Sequence, residues 1–149
     1  MTLARGLFTS ERSDWETPAD VFTALNREFG PFTLDPCATP ETAKCERFYQ
    51  GIEGLMLPGS GRVFVNPPYG RDIGKWIQRC WGVVQEGDAE IVVALIPSRT
   101  DTRWWHEWVM KASEIRFIRG RLHFDGRGPA PFPSCVVIWL LAPSWGLLI

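Results

Sequence analysis

The chain has 149 residues, of which 45% are hydrophobic and 22% are charged, and its formal net charge is −1. This composition is typical of an ordinary globular domain. The small net charge excludes attraction of nucleic acid by the overall electrostatic field of the protein, so any affinity for nucleic acid must come from a local patch. The length allows one substantial core but no separate substrate-reading domain.

The sequence shows no sign of a membrane span, a secretory signal or a metal site. Its longest apolar stretch, Cys135 to Pro143, is far shorter than the roughly 20 residues that cross a bilayer. No basic, apolar segment opens the chain, so we expect a cytoplasmic protein. No two cysteines have C-x-x-C spacing, and we expect reduced thiols and no bound metal at Cys37, Cys45, Cys80 and Cys135.

The chain is predicted to begin with a loose arm over residues 1–13, followed by a single domain over residues 14–149. Thr17 and Pro18 indicate a helix start, with Thr17 as the N-cap and Pro18 at the first helical position. Apolar residues follow at helical spacing as far as Gly30, which suits the end of a helix.

The next elements alternate between strand and helix. Phe32 to Asp35 is predicted as a short strand that ends in a carboxylate, and residues 43–57 give a mixed signal. Arg62 to Val65 predicts a buried strand, and Ile73 to Val84 predicts an amphipathic helix. The continuous apolar run Ile91 to Ile96 is typical of a central strand in a parallel sheet.

The last third is predicted to change from β/α units to an antiparallel pair. A Trp-rich helix is expected from about Thr102 to Ala112, and strands are expected at Glu114 to Ile118 and Cys135 to Leu141. Leu122 to Phe124 either continues the first of these strands or forms a separate one. Because the loop Asp125 to Pro133 has no helix pattern, the two strands should pair antiparallel.

The tetrapeptide Asn66-Pro67-Pro68-Tyr69 follows the strand that ends at Val65 and has the chemistry of a seat for a planar amine. Asn66 offers a side-chain carbonyl and Pro67 a backbone carbonyl, and two such acceptors would draw the amine's delocalised lone pair back onto nitrogen. The prolines would hold these acceptors rigidly, and Tyr69 could stack on the ring. A strand-terminating turn is the alternative interpretation of Asn-Pro.

Arginines and aromatic residues after the later strands are candidates for a nucleic-acid surface. The cations are Arg99, Arg103, Arg116, Arg119, Arg121, His123 and Arg127, and an exposed, solvated face explains them equally well. Phe124 or Phe132 could pack against an extruded base or could belong to the core.

Several segments together resemble the small phage-type family of DNA N-6-adenine methyltransferases, often called phage Dam. They are Trp15-Glu16-Thr17-Pro18, Leu34-Asp35-Pro36-Cys37-Ala38, Phe64-Val65-Asn66-Pro67-Pro68-Tyr69, Leu95 to Thr102, Gly120 to Phe124 and Phe132-Pro133-Ser134. They occur in the family's order and span roughly residues 14 to 140.

The resemblance implies an α/β fold with a Rossmann-like methyltransferase sheet and an antiparallel last strand. It implies S-adenosylmethionine as cofactor, DNA as partner, a phage or prophage origin, and the target amine at Asn66 to Tyr69. The segment with Trp15, Thr17 and Pro18 would contact the methionine end of the cofactor. Asp35 would lie beneath its amino group in the loop with Pro36, Cys37 and Ala38, and Glu53 would face its adenosine.

The chain departs from the family pattern at two places. Ala38-Thr39-Pro40 stands where adenine methyltransferases commonly carry glycines, and Glu53 stands where the family usually has aspartate. About 30 residues separate Asp35 from Asn66, so the sheet should be abbreviated, lacking full second and third strands.

Three functions are compatible with these features. The first is methyl transfer to adenine N6 in DNA after the base is flipped out of the duplex. The second keeps the fold but acts on RNA or on a protein glutamine, whose nitrogens are conjugated in the same way. The third is a catalytically silent nucleic-acid-binding module. No feature predicts the DNA recognition sequence or the oligomeric state.

Overall fold

The computed structural model describes residues 15–124 and 128–141 of the chain. The predicted arm over residues 1–13 therefore lies outside the described residues. The helices are α1 (Ala19–Phe29), α2 (Glu53–Met56), α3 (Ile73–Gln85) and α4 (Arg103–Glu107), with a 3-10 turn at Val109–Lys111; the strands are β1 (Gly61–Val65), β2 (Ala89–Pro97), β3 (Glu114–Phe117) and β4 (Ser134–Leu140).

The described residues form a mixed α/β fold around a four-stranded sheet of order β1-β2-β4-β3. β1 and β2 run parallel, joined by the crossover helix α3, and β4 runs antiparallel to both of its neighbours. The predicted antiparallel pairing of the two closing strands is confirmed, because Phe117 pairs with Cys135 and Glu114 pairs with Ile138.

A short segment extends the sheet beyond β1. Leu34 forms a parallel bridge with Val63, and Asp35 forms one with Phe48. The strand predicted over residues 32–35 is thus reduced to these bridges. This agrees with the expected abbreviation of the sheet, since the described residues between Asp35 and β1 form only the short helix α2 and no strand.

The core lies between β1, β2 and β4 and the helices on their faces. β2 is buried along almost its whole length, as expected for the central strand of a sheet covered on both sides. Helix α3 buries one apolar face, which includes Trp76, Ile77 and Val84. No helix among the described residues is long and apolar enough to cross a membrane.

Two helix predictions need correction in detail. Helix α1 begins at Ala19, one residue later than predicted, with Pro18 at the N-cap position and no side-chain cap. Thr17 is buried in the wall of a cavity. The Trp-rich segment is capped by Thr102 as expected from a start there, but helix α4 ends at Glu107 because Trp108 leaves helical geometry at φ −122°.

Candidate active site

The topology gathers the predicted site segments at one edge of the sheet. β1 and β2 are parallel, so the residues that follow Val65 and Pro97 emerge at the same edge. Pro97 pairs with Ser134 at the start of β4, and Phe117 at the end of β3 pairs with Cys135. The segments before β4 and after β3 therefore reach this edge too.

A cavity of about 600 Å³ opens beside Asn66. This volume lies within the range of small-molecule sites. Among the predicted residues, Asn66 and Pro68 line it from the end of β1, and Trp15 and Thr17 line it from the segment before α1. The predicted loop residues that line it are Asp35, Cys37 and Ala38.

The Asn66 side chain has its amide nitrogen hydrogen-bonded and its carbonyl oxygen without a partner among the described residues. Its Nδ2 donates a hydrogen bond to the backbone oxygen of Trp15. Its Oδ1 is buried and accepts no hydrogen bond from any described residue. A buried carbonyl without a donor is costly, so this atom is suited to accept an N–H group from a bound molecule.

Asp35 is a buried carboxylate beside the same cavity, 3% exposed. Burial raises its pKa from 3.8 to about 6, against the opposing effect of two backbone hydrogen bonds. These come from the N–H of Lys44 at 3.1 Å and the N–H of Cys37 at 3.3 Å. The carboxylate is thus fixed in place, with the Lys44 charge opposing the effect of burial, and a positively charged ligand would further favour its ionised form.

The structure does not bring every predicted residue to the cavity. Pro18, Pro36 and Pro67 are absent from its lining, and so is Glu53. The Glu53 side chain turns back along the chain and accepts a hydrogen bond from the N–H of Gln50 at 3.4 Å. A contact between Glu53 and a ligand in this cavity therefore requires the side chain to move.

Three charged residues in the cavity wall were not predicted. Glu16, Lys44 and Asp72 all line it, and Lys44 Nζ lies 3.4 Å from Glu16 Oε1. Glu16 lies within the Trp15 to Pro18 motif, so the sequence contained a signal that could have identified Glu16 as a site residue. Nothing in the sequence pattern placed Lys44, because its position depends on how the loop after Asp35 folds back.

Tyr69 lies inside an aromatic cluster. Its ring centroid is 5.3 Å from Phe132 and 6.4 Å from Phe124, both at edge-on angles, and both phenylalanines also pack edge-on against Trp15. Tyr69 is 5% exposed, and its hydroxyl donates to the Leu95 carbonyl at 3.0 Å. Phe124 and Phe132 are buried as well, which brings the predicted base-contacting residues together beneath the surface.

The predicted arginines lie on the surface. Arg99 is exposed just after β2, and Arg121 is exposed and donates to the Ala130 carbonyl at 3.3 Å. Arg103 is exposed and pairs with Glu107 at 2.5 Å. The position of these arginines at the edge that carries Asn66 is compatible with a nucleic-acid surface. The ion pair with Glu107 neutralises part of the positive charge that Arg103 would give this surface.

Cys37, which lines the described part of the cavity, is not a thiolate nucleophile. Burial, followed by the nearby Asp35 charge, raises the pKa of Cys37 to about 12 and that of Cys45 to about 11. Both thiols are therefore protonated at neutral pH. In the part of the chain that the structure describes, no cluster of His, Cys, Asp and Glu could hold a metal ion.

Comparison with known proteins identifies the family. The profile of DNA N-6-adenine-methyltransferase (Dam) matches residues 6–133. The chain is 30% identical over 118 residues to the "DNA N-6-adenine-methyltransferase" of Escherichia phage T1, a match that covers 76% of this chain and 48% of that protein. It is 33% identical over 63 residues to the "Putative methyltransferase YfdM" of Escherichia coli (strain K12), covering 37% of this chain and 69% of YfdM. The chain spans about half the length of its phage T1 relative, and it belongs to the DNA N-6-adenine-methyltransferase (Dam) family.

Proposed function

We propose that this chain transfers a methyl group from S-adenosylmethionine to the N6 amine of adenine in DNA. The observation that carries the proposal is the geometry of Asn66. Its carbonyl oxygen is buried without a partner among the described residues, beside a cavity of about 600 Å³. Family membership and the 30% identity to a phage adenine methyltransferase support the same reaction.

The donor set of the cavity fits S-adenosylmethionine. The cofactor carries an ammonium, a carboxylate and a sulfonium, and the wall offers carboxylates at Asp35 and Glu16 and an ammonium at Lys44. Trp76 provides aromatic surface for an adenosine, and Trp15 lines the cavity beside Glu16. When bound, the cofactor supplies a methyl group on a cationic sulfur, and the residues named here hold and orient it.

Asn66 and Pro67 prepare the amine for attack. Acceptance of the amine's N–H groups by the Asn66 side chain and by the Pro67 backbone carbonyl, which is outside the described cavity lining, would localise the nitrogen lone pair. No covalent nucleophile is needed, which agrees with the protonated state of Cys37. Most of the rate gain then comes from orientation and from fixed hydrogen-bond acceptors.

The flipped base is proposed to stack on Tyr69. In the described arrangement Phe124 and Phe132 pack edge-on against the Tyr69 ring. A base can reach it only if one of these rings moves away. Phe132 is the best candidate, because it lies in the loop between Ala130 and β4 and outside any helix or strand.

We infer the wider organisation from the same features. The sheet would be an abbreviated Rossmann-like methyltransferase sheet within one catalytic domain over residues 14–149. DNA would lie over the edge that carries Arg99, Arg103 and Arg121. A phage relative and a bacterial relative support action in the cytoplasm of a bacterial host.

Labelled methyl transfer onto unmethylated duplex DNA tests the proposal. The native chain should incorporate label at adenine N6, and Asn66→Ala should lower the rate about a hundredfold or more, as expected for loss of a preorganised hydrogen-bonding group. Asn26→Ala is the matched control, because Asn26 Oδ1 accepts a structural hydrogen bond from Phe32 N at 2.8 Å and does not line the cavity. Equal activity of native chain and Asn66→Ala would contradict the mechanism.

The same assay separates the alternatives. Transfer to RNA of the same sequence, or to a glutamine peptide, without transfer to DNA would show that the substrate is RNA or protein and would leave the proposed fold unchanged. Calorimetry that detects no binding of S-adenosylmethionine at millimolar concentration would indicate a silent nucleic-acid-binding module.

A further inference from the structure

The cavity beside Asn66 contains one cation among its charged lining residues. Glu16, Asp35 and Asp72 contribute carboxylates, and Lys44 contributes the ammonium. The proposed cofactor has the opposite pattern, with two cationic groups and one carboxylate. Within the described part of the wall, Lys44 is therefore the residue whose charge matches the cofactor's carboxylate.

The position of Lys44 is set by its own backbone. Its N–H donates to Asp35 Oδ2 at 3.1 Å, which ties the residue to the segment that ends at the cavity. Its side chain is 19% exposed, so the ammonium has limited access to bulk water. The fixed backbone and the partial burial together hold the charge at the cavity wall.

The Lys44 ammonium has hydrogen-bonding capacity left for a ligand. It has three N–H donors, and its described contact is to Glu16 Oε1 at the long distance of 3.4 Å. Glu16 is 38% exposed and can turn toward solvent. A ligand carboxylate can thus replace Glu16 as the partner of Lys44.

We propose that Lys44 is a specificity-determining residue that binds the carboxylate of the methyl donor, so that the site selects a donor with an intact amino-acid end. This inference rests on the proposed use of S-adenosylmethionine. A purely structural ion pair between Lys44 and Glu16 makes a different prediction: its loss would alter stability but would not change the preference between ligands.

Titration calorimetry with two probes tests the inference. The probes are S-adenosylmethionine and its decarboxylated form, which lacks only the carboxylate and keeps both cationic groups. The proteins are the native chain, Lys44→Met, Lys44→Arg and the control Lys111→Met. Lys111 lies over the rings of Trp81 and Trp108 at 4.8 and 4.9 Å and does not line the cavity.

We expect the native chain to prefer S-adenosylmethionine over the decarboxylated probe by about tenfold or more, the size of a charge-assisted hydrogen bond. In Lys44→Met the two affinities should move in opposite directions, because the cavity loses the partner of the carboxylate and a cation that repels the decarboxylated probe. Lys44→Arg and Lys111→Met should keep the native preference. Circular dichroism and thermal melting of each variant verify that it is folded.

Two results would overturn the inference. If folded Lys44→Met retains the native preference for the carboxylated probe, Lys44 does not bind the carboxylate, and the proposed function still stands. If the native chain binds neither probe, the proposed cofactor is wrong and the role of Lys44 fails with it.

Discussion

Asp35 should lower the stability of the unliganded protein at neutral pH, and Asp35→Asn should remove this cost. The carboxylate is 3% exposed, and burial raises its pKa from 3.8 to about 6. Below pH 3.8 the group is protonated in the folded and unfolded states and stability is at its full value. As the pH rises from 3.8 to about 6, Asp35 ionises in the unfolded chain but not yet in the folded protein, so the free energy of unfolding falls. Above about pH 6 Asp35 is ionised in both states, and the free energy of unfolding stays at its lower value.

The expected loss follows from the two pKa values. A rise from 3.8 to about 6 corresponds to about 3 kcal/mol against the charged folded state. Asparagine carries no charge, but its NH₂ group cannot accept one of the two hydrogen bonds from Cys37 N and Lys44 N. That lost acceptor costs about 1–3 kcal/mol at every pH, so the pH dependence is the clean observable.

Urea unfolding of native chain and Asp35→Asn across this range measures the effect. The unfolding free energy of Asp35→Asn minus that of the native chain should increase by roughly 2 kcal/mol between about pH 4 and pH 7.5. Parallel curves for the two proteins would refute the assignment of a raised pKa to Asp35. Binding of S-adenosylmethionine should weaken below about pH 6 in the native chain, because protonation of Asp35 removes its attraction for the ligand's cation.

Three further experiments test how the site is supported. Gly54→Ala places a methyl group against the Pro36 carbonyl oxygen and should lower the unfolding free energy by about 1–3 kcal/mol. Gly82→Ala adds a methyl group in open space on helix α3 and should raise the unfolding free energy by up to about 1 kcal/mol. Urea unfolding of the two variants and the native chain measures both effects. Tyr69→Phe removes a buried hydrogen bond to β2 and should cost about 1 kcal/mol in unfolding free energy while keeping methyl transfer; loss of transfer in a folded variant would show that the hydroxyl acts in catalysis. Arg47→Met should weaken cofactor binding and increase hydrogen exchange in residues 36–60 without affecting β2; unchanged exchange in that segment would contradict this.

The fold was predictable where the apolar period was strong. Helix α3 and strand β2 were predicted nearly at their observed bounds, because one side of α3 and almost all of β2 are buried. Helix α4 was predicted too long, since Val109 and Ala112 continue the apolar spacing beyond Trp108, where the backbone leaves the helix. Periodicity reports which residues are buried and does not report where the backbone turns.

The site was predictable where one short motif contains the chemistry. Asn66 follows β1 and Asp35 ends the predicted strand Phe32 to Asp35, and both line the cavity. Lys44 and Asp72 were missed because their contribution depends on loop geometry. The partial covering of Tyr69 could not be predicted either, since Phe124 and Phe132 approach it from segments more than 50 residues away in the chain.

The loop between Asp35 and β1 explains how the four-stranded sheet keeps a cavity wall. Asp35 N donates to the Arg47 carbonyl and Tyr49 N donates to the Asp35 carbonyl, both at 3.0 Å, so two residues pair as a strand would. The Arg47 guanidinium then binds Ser60 Oγ at 2.9 Å and the Tyr49 hydroxyl at 2.8 Å, which ties the loop to the start of β1. Side-chain hydrogen bonds thus hold this loop beside β1, as the backbone hydrogen bonds of a paired strand would. Because these bonds are exposed and individually weak, the cavity wall should open more readily than the core, and a ligand that contacts it should stabilise this segment most.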